Sequence, residues 1–138
     1  MHVFSHQTMP FKRVFINSAH YWILFGLLNS IELFLFPKAT KWDSNDIVIL
    51  FLIWAFMEFC NFKCHLELSS FRKTNPKGRG IPKNWGFKFV SCANYLWETL
   101  GWLTFSILTK CVSSFLFTAV SVAQMASWAL KKHKAYKK

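Results

Sequence analysis

The sequence predicts an all-α, polytopic membrane protein with about four transmembrane helices, and three observations carry that expectation. Across 138 residues the composition is 53% hydrophobic and 19% aromatic, more large apolar side chain than the interior of one soluble domain can hold. The apolar residues gather into four blocks, each near the roughly 20 residues that a helix needs to cross a bilayer. The net charge is +11, from 17 Lys and Arg against 6 Asp and Glu. Those basic residues do not alternate with aromatics but sit in the gaps between blocks, which reads as membrane topology and argues against nucleic acid as a partner.

The first block runs from Val14 to Phe36, carries no charge as far as Ile31 and then meets Glu32. Pro37 is expected to end it. The second runs from about Ile47 to Leu66 and contains Glu58 and Lys63. The third, from about Phe87 to Thr109, contains Lys88 and Glu98, and the fourth, Cys111 to Leu130, has no charged residue. The gaps follow a pattern. Lys12 and Arg13 precede the first block, and Lys38 and Lys41 are offset by Asp43 and Asp46 in the next gap. Ser69–Gly86 holds Arg72, Lys73, Lys77, Arg79 and Lys83 with no acid, Lys110 nearly fills the short fourth gap, and five lysines end the chain. Basic, neutral, basic, short, basic is the signature of alternating spans, so both termini and the 69–86 loop are expected to be cytosolic. A cleaved signal peptide is not expected, because no small-residue cleavage site accompanies the first block. Cys60, Cys64, Cys92 and Cys111 lie within or beside spans without a second ligand pair at metal spacing, and read as small apolar filler.

Ionisable residues at membrane depth mark functional positions by default. On a helix Asn94, Tyr95 and Glu98 occupy adjoining parts of one face, and Trp102 continues it. Glu58, Asn61 and His65 share a face of the second span, and Asn17 lies one turn from His20 and Tyr21. Three spans are thus expected to turn polar stripes toward a shared interior, whereas the fourth, with only Gln124 and several serines and threonines, reads as packing. Single polar residues of this kind often only bond helix to helix. Two carboxylates, a histidine and a tyrosine together favour a site. In FRKTNPKGRGIPKNW (Phe71–Trp85), arginines beside Gly78 and Gly80 suit phosphate, since guanidinium groups grip phosphate oxygens in pairs. On charge alone, contact with anionic headgroups is the stronger reading of this loop. Neither a Rossmann fingerprint nor a P-loop is present.

HVFSHQTMPFKRVFINSAHYW (His2–Trp22), the Asn-Phe-x-x-His of Asn61–His65, the RGIP of Arg79–Pro82 and VSCANYLWE (Val90–Glu98) together resemble the very-long-chain trans-2,3-enoyl-CoA reductases of the steroid 5α-reductase superfamily. The likeness runs in order along nearly all of residues 1–138, read as one membrane-embedded domain. It implies an enzyme of the endoplasmic reticulum membrane that uses NADPH to reduce a long-chain trans-2-enoyl-CoA in the last step of fatty acid elongation, with other elongation enzymes as possible neighbours. It implies Tyr95 as the proton donor, a fitting type because a phenol stays protonated at neutral pH yet can protonate an enolate. It further implies cofactor contacts from His65, Arg72, Arg79, Asn94, Glu98 and Tyr136, and places His20 and Tyr21 near the acyl path; no metal is implied. Tyr95 and Lys132 stand where the steroid-reducing branch has phenylalanine and part of a histidine cluster, which favours the enoyl-CoA branch over a 3-oxo-5α-steroid 4-dehydrogenase. The isoprenylcysteine methyltransferase type is disfavoured by the lack of a His-Pro pair ahead of an aromatic tail. Family members carry spans and a catalytic glutamate upstream of the His2–Pro10 match and an arginine-containing tail beyond the last match. The chain is therefore expected to represent the C-terminal part of such an enzyme, and a non-catalytic truncated paralogue is the alternative from another class.

Overall fold

The computed structural model describes residues 10–36, 42–74 and 82–136, and among them the fold is entirely helical. The first rod is α1 (Phe11–Ala19), a π-helical stretch (His20–Leu27) and α2 (Leu28–Leu35), running without a break. It is followed by α3 (Ser44–Thr74), a short 3-10 turn (Trp85–Lys88), α4 (Ala93–Thr109) and α5 (Val112–Tyr136). Phe11–Leu35, Ser44–Thr74 and Val112–Lys134 are long and apolar enough to cross a membrane. The fold is that of an all-α membrane protein. Most large apolar side chains, from Trp22 and Phe34 to Phe51, Phe59 and Leu116, point outward, as lipid-facing residues should.

Two boundaries differ from the sequence reading. The third block becomes helical only at Ala93, because Gly86 holds the preceding turn hard against it. A Cβ at Gly86 would lie 2.8 Å from the Ala93 Cβ and 3.2 Å from Trp97 Nε1, so the close approach requires glycine. The second block extends through Glu67, Ser69 and Arg72 to Thr74 as one helix, two turns past its apolar part.

The helices alternate in direction, and small or hydroxylated residues set the contacts. The α4–α5 hairpin turns at Lys110, whose φ of 53° lies in the left-handed region and whose N–H closes α4 onto the Ser106 carbonyl. Ser106 and Thr118 hydroxyls meet at 2.9 Å, and Thr109 and Ser114 at 3.1 Å. The first rod lies antiparallel to α5. Glu32 accepts hydrogen bonds from the Val112 and Ser113 N–H groups at 2.8 Å each and from the Ser113 hydroxyl at 2.7 Å. It thereby caps the N-terminus of α5, where backbone donors have no partner within the helix. Asn29 Oδ1 accepts from Ser114 Oγ at 2.6 Å one turn away. Phe117, fully buried, centres an aromatic cluster with His20 stacked at 4.5 Å, Trp102 at 4.7 Å, Phe25 at 4.9 Å and Tyr21 at 5.5 Å. On the other side of α4, Cys64, Phe87 and Ala93 form a small core with Leu68 and Trp97 beside it. All four cysteines are buried and unbridged, as the filler reading requires. At the far end the Trp42 indole donates to the Leu108 carbonyl at 3.1 Å, with Lys110 Nζ 3.7 Å from its ring.

Candidate active site

Alternating helix directions bring the start of α1, the end of α3, the start of α4 and the end of α5 to one end of the bundle. Two polar regions lie there, and the rings of Tyr95 and Trp128, 6.1 Å apart, stand near both.

The first region is a cleft of about 660 Å³ between the N-terminal rod, α4 and α5. His20, Tyr21 and Asn17 line one wall, Glu98 the base, and Ser121, Gln124 and Trp128 the other wall. His20 Nε2 and Ser121 Oγ hydrogen-bond at 2.9 Å across it, and the Glu98 charge reaches Tyr21. Arg13 and Lys131 also line the cleft, at the end where α1 begins and α5 runs out. The rings of His20 and Tyr21 both pack on Phe117 of the aromatic cluster, at 4.5 and 5.5 Å.

The second region lies between α3, α4 and α5. The charges of Arg72 and Lys132 both reach His65. Lys132 also stands over Tyr95, its Nζ 4.8 Å from the ring centroid. Ser91 and His133 join at 2.9 Å and tie the approach to α4 onto α5. Tyr136 is the last residue of α5, four positions after Lys132 and therefore on the same face. Asn94, buried at the start of α4, has a carboxamide oxygen with no hydrogen-bond partner, and so does Asn61 on α3. A buried polar atom left unpaired costs about 1–3 kcal/mol, so such atoms point to a ligand that completes them. Cations beside His65 and two amide acceptors without partners are the types of group that suit a ligand joining phosphates to a carboxamide, as a nicotinamide dinucleotide does. Arg79 lies outside the described residues, as do most of the His2–Pro10 and Arg79–Pro82 motifs.

Glu58 turns its carboxyl toward the third span. It is exposed on α3 in the middle of the span, yet its carboxyl reaches α4, where a Cβ on Gly101 would lie 2.9 Å from Glu58 Oε1. His20, Tyr21 and Glu98 share the cleft, while the charges of Arg72 and Lys132 lie toward His65. The fourth span also lines the cleft. Sequence read Gln124 as packing and did not single out Ser121, Trp128 or Lys131; only the fold brings them opposite Arg13, Asn17 and His20.

A family model described as 3-oxo-5-alpha-steroid 4-dehydrogenase matches residues 7–138. A Schizosaccharomyces pombe protein provisionally named an enoyl reductase is 43% identical over 144 residues, covering 100% of this chain and 47% of that protein. The very-long-chain enoyl-CoA reductase of Dictyostelium discoideum is 37% identical over 139 residues, covering 100% of this chain and 45% of its own length. A human protein named trans-2,3-enoyl-CoA reductase-like is 28% identical over 144 residues, covering 99% of this chain and 39% of its own length. The chain thus spans under half the length of these curated relatives. No solved structure matches it. With the family match extending over nearly every residue and including both walls of the cleft, the chain belongs to the 3-oxo-5-alpha-steroid 4-dehydrogenase family.

Proposed function

We propose that this chain carries the proton-donating and cofactor-holding part of an NADPH-dependent very-long-chain trans-2-enoyl-CoA reductase. Its place is the endoplasmic reticulum membrane, with both termini cytosolic, and its reaction is the reductive last step of fatty acid elongation. The observation that carries the reading is the position of Tyr95, beside Trp128 of the polar cleft on one hand and beneath Lys132 on the other. The names of the relatives, which are enoyl-CoA reductases rather than steroid reductases, support the choice of substrate class.

In this reading the enoyl thioester occupies the cleft, and the cofactor lies on the side of Tyr95 that carries Lys132 and His65. His65, Arg72 and Arg79 meet the phosphates, Asn94 and Glu98 the nicotinamide end, and Tyr136 covers the cofactor from α5. A nicotinamide held by these residues would supply a hydride to C3 of the enoyl group. Tyr95 then delivers its phenolic proton to C2, and the Lys132 ammonium beside the ring stabilises the negative charge left on the oxygen. His20 and Tyr21 border the acyl chain. The aromatic floor around Phe117 keeps water from the reacting carbon.

The test is a product analysis on microsomal membranes bearing the full polypeptide. Incubated with trans-2-hexadecenoyl-CoA, they are expected to form hexadecanoyl-CoA with NADPH and much less with NADH, and to leave a 3-oxo-4-ene steroid untouched. Steroid reduction without enoyl-CoA reduction would move the chain to the other branch of the family. No reduction of either substrate would favour the non-catalytic alternative.

A further inference from the structure

Arg13 and Lys131 take no part in the chemistry above, yet both line the cleft, from opposite walls. Both are exposed, and both lie at the end of the bundle where α1 begins and α5 finishes. Apart from Glu98 and the titratable His20 and Tyr21 at the inner end, they are the only charged groups among the cleft's described lining. Seven residues separate Arg13 from His20, and seven separate Lys131 from Gln124. At about 1.5 Å per residue Arg13 stands roughly 10 Å above the level of His20, and Lys131, ten positions from Ser121, stands roughly 15 Å above the level of Ser121. Between the two levels lie two carboxamides, Asn17 one turn below Arg13 and Gln124 two turns below Lys131. From mouth to floor the cleft therefore reads two cations, two amides, then imidazole, phenol and aromatic rings.

That order matches the order of groups in a coenzyme A thioester: a diphosphate, a pantetheine arm with two amides, then the thioester and the acyl chain. We infer that Arg13 and Lys131 form an anion clamp that takes the diphosphate of a coenzyme A thioester at the mouth of the cleft, with Asn17 and Gln124 pairing with the amides of its pantetheine arm. The inference rests on reading the cleft as an enoyl-thioester site. It also separates the two anionic ligands of the reaction. Lys132, next in sequence to Lys131, stands over Tyr95 and does not line the cleft, so adjacent lysines serve different ligands. Arginine and lysine on facing helices can each form charge-assisted bonds to a phosphate oxygen.

The test measures binding by calorimetry to the full chain in nanodiscs of phosphatidylcholine alone, so that no anionic headgroup competes. The probes are hexadecanoyl-CoA and S-hexadecanoyl-pantetheine, which lacks the phosphates. The unaltered chain is expected to bind the CoA form at least about 10-fold more tightly. In Arg13→Gln/Lys131→Gln that preference is expected to vanish, with pantetheine-form affinity and NADPH affinity unchanged. Arg13→Lys/Lys131→Arg is expected to retain it. A double variant that keeps the CoA preference overturns the clamp, as does one that loses NADPH binding instead, which would give these cations to the cofactor. Equal binding of both probes by the unaltered chain overturns the clamp while leaving the reductase reading standing. Binding of neither overturns both. A CoA preference that disappears when phosphatidylserine is added to the discs would assign the cations to lipid headgroups and overturn the clamp as well.

Discussion

Replacing Glu32 with alanine should loosen the fold at the end of the bundle farthest from the cleft mouth. Its carboxylate accepts three hydrogen bonds of 2.7 to 2.8 Å, two of them from the first backbone N–H groups of α5. Those donors have no acceptor within their own helix, and loss of a side-chain cap costs about 0.5–2 kcal/mol. A negative charge at a partly buried helix N-terminus adds up to about 2 kcal/mol more. Glu32→Ala should therefore cost about 2–3 kcal/mol, and Glu32→Gln, which keeps a neutral acceptor, about 1 kcal/mol. For a chain of this size that corresponds to a fall in thermal midpoint on the order of 10 °C for alanine and about 4 °C for glutamine. Thermal unfolding in detergent, followed by circular dichroism, measures both. Midpoints within about 1 °C of the unaltered chain for both variants would show that Glu32 does not anchor α5.

Further outcomes follow from other contacts. Gly86→Ala places a Cβ 2.8 Å from that of Ala93 and should cost about 1–3 kcal/mol, while Gly26→Ala meets only ordinary contacts at 3.5 Å and beyond and should be neutral or stabilising; the same unfolding measurement compares them. Phe117→Ala removes a fully buried ring from contact with four aromatic partners and should cost about 3–5 kcal/mol, seen as loss of the monodisperse peak in size-exclusion chromatography at 25 to 37 °C or thereabouts. Lys132→Gln should lower kcat for enoyl-CoA reduction by roughly 10–100-fold with little change in KM for the thioester, and Lys132→Arg should restore most of it.

The lipid-facing architecture was legible because the bilayer imposes one strong rule: helices that cross it must be long and apolar, and charge must stay outside. That rule locates the first rod, α3 and α5. It says nothing of where a helix continues once it leaves lipid, so α3 runs past Leu66 to Thr74. Nor does it register a contact as close as that between Gly86 and Ala93, which delays the start of α4. Within the site, His20, Tyr21, Asn94, Tyr95 and Glu98 stood out because polar groups in apolar helices are conspicuous. Arg13, Lys131 and Gln124 did not, since they lie at helix ends or among serines where polarity is ordinary; only the antiparallel packing of the first rod on α5 makes them face one another. Glu32 looked like the edge of a span, and its role as a cap required knowing which helix starts beside it.

The central claim is that Tyr95 supplies the proton, and it is tested most directly by comparing the full chain with Tyr95→Phe in NADPH-dependent reduction of trans-2-hexadecenoyl-CoA. The phenyl ring keeps the stacking against Trp128 and the contact with Lys132 but has no proton to give. The expected result is a fall in kcat of about 100-fold or more with unchanged NADPH binding. Equal turnover by the two proteins would contradict the assignment.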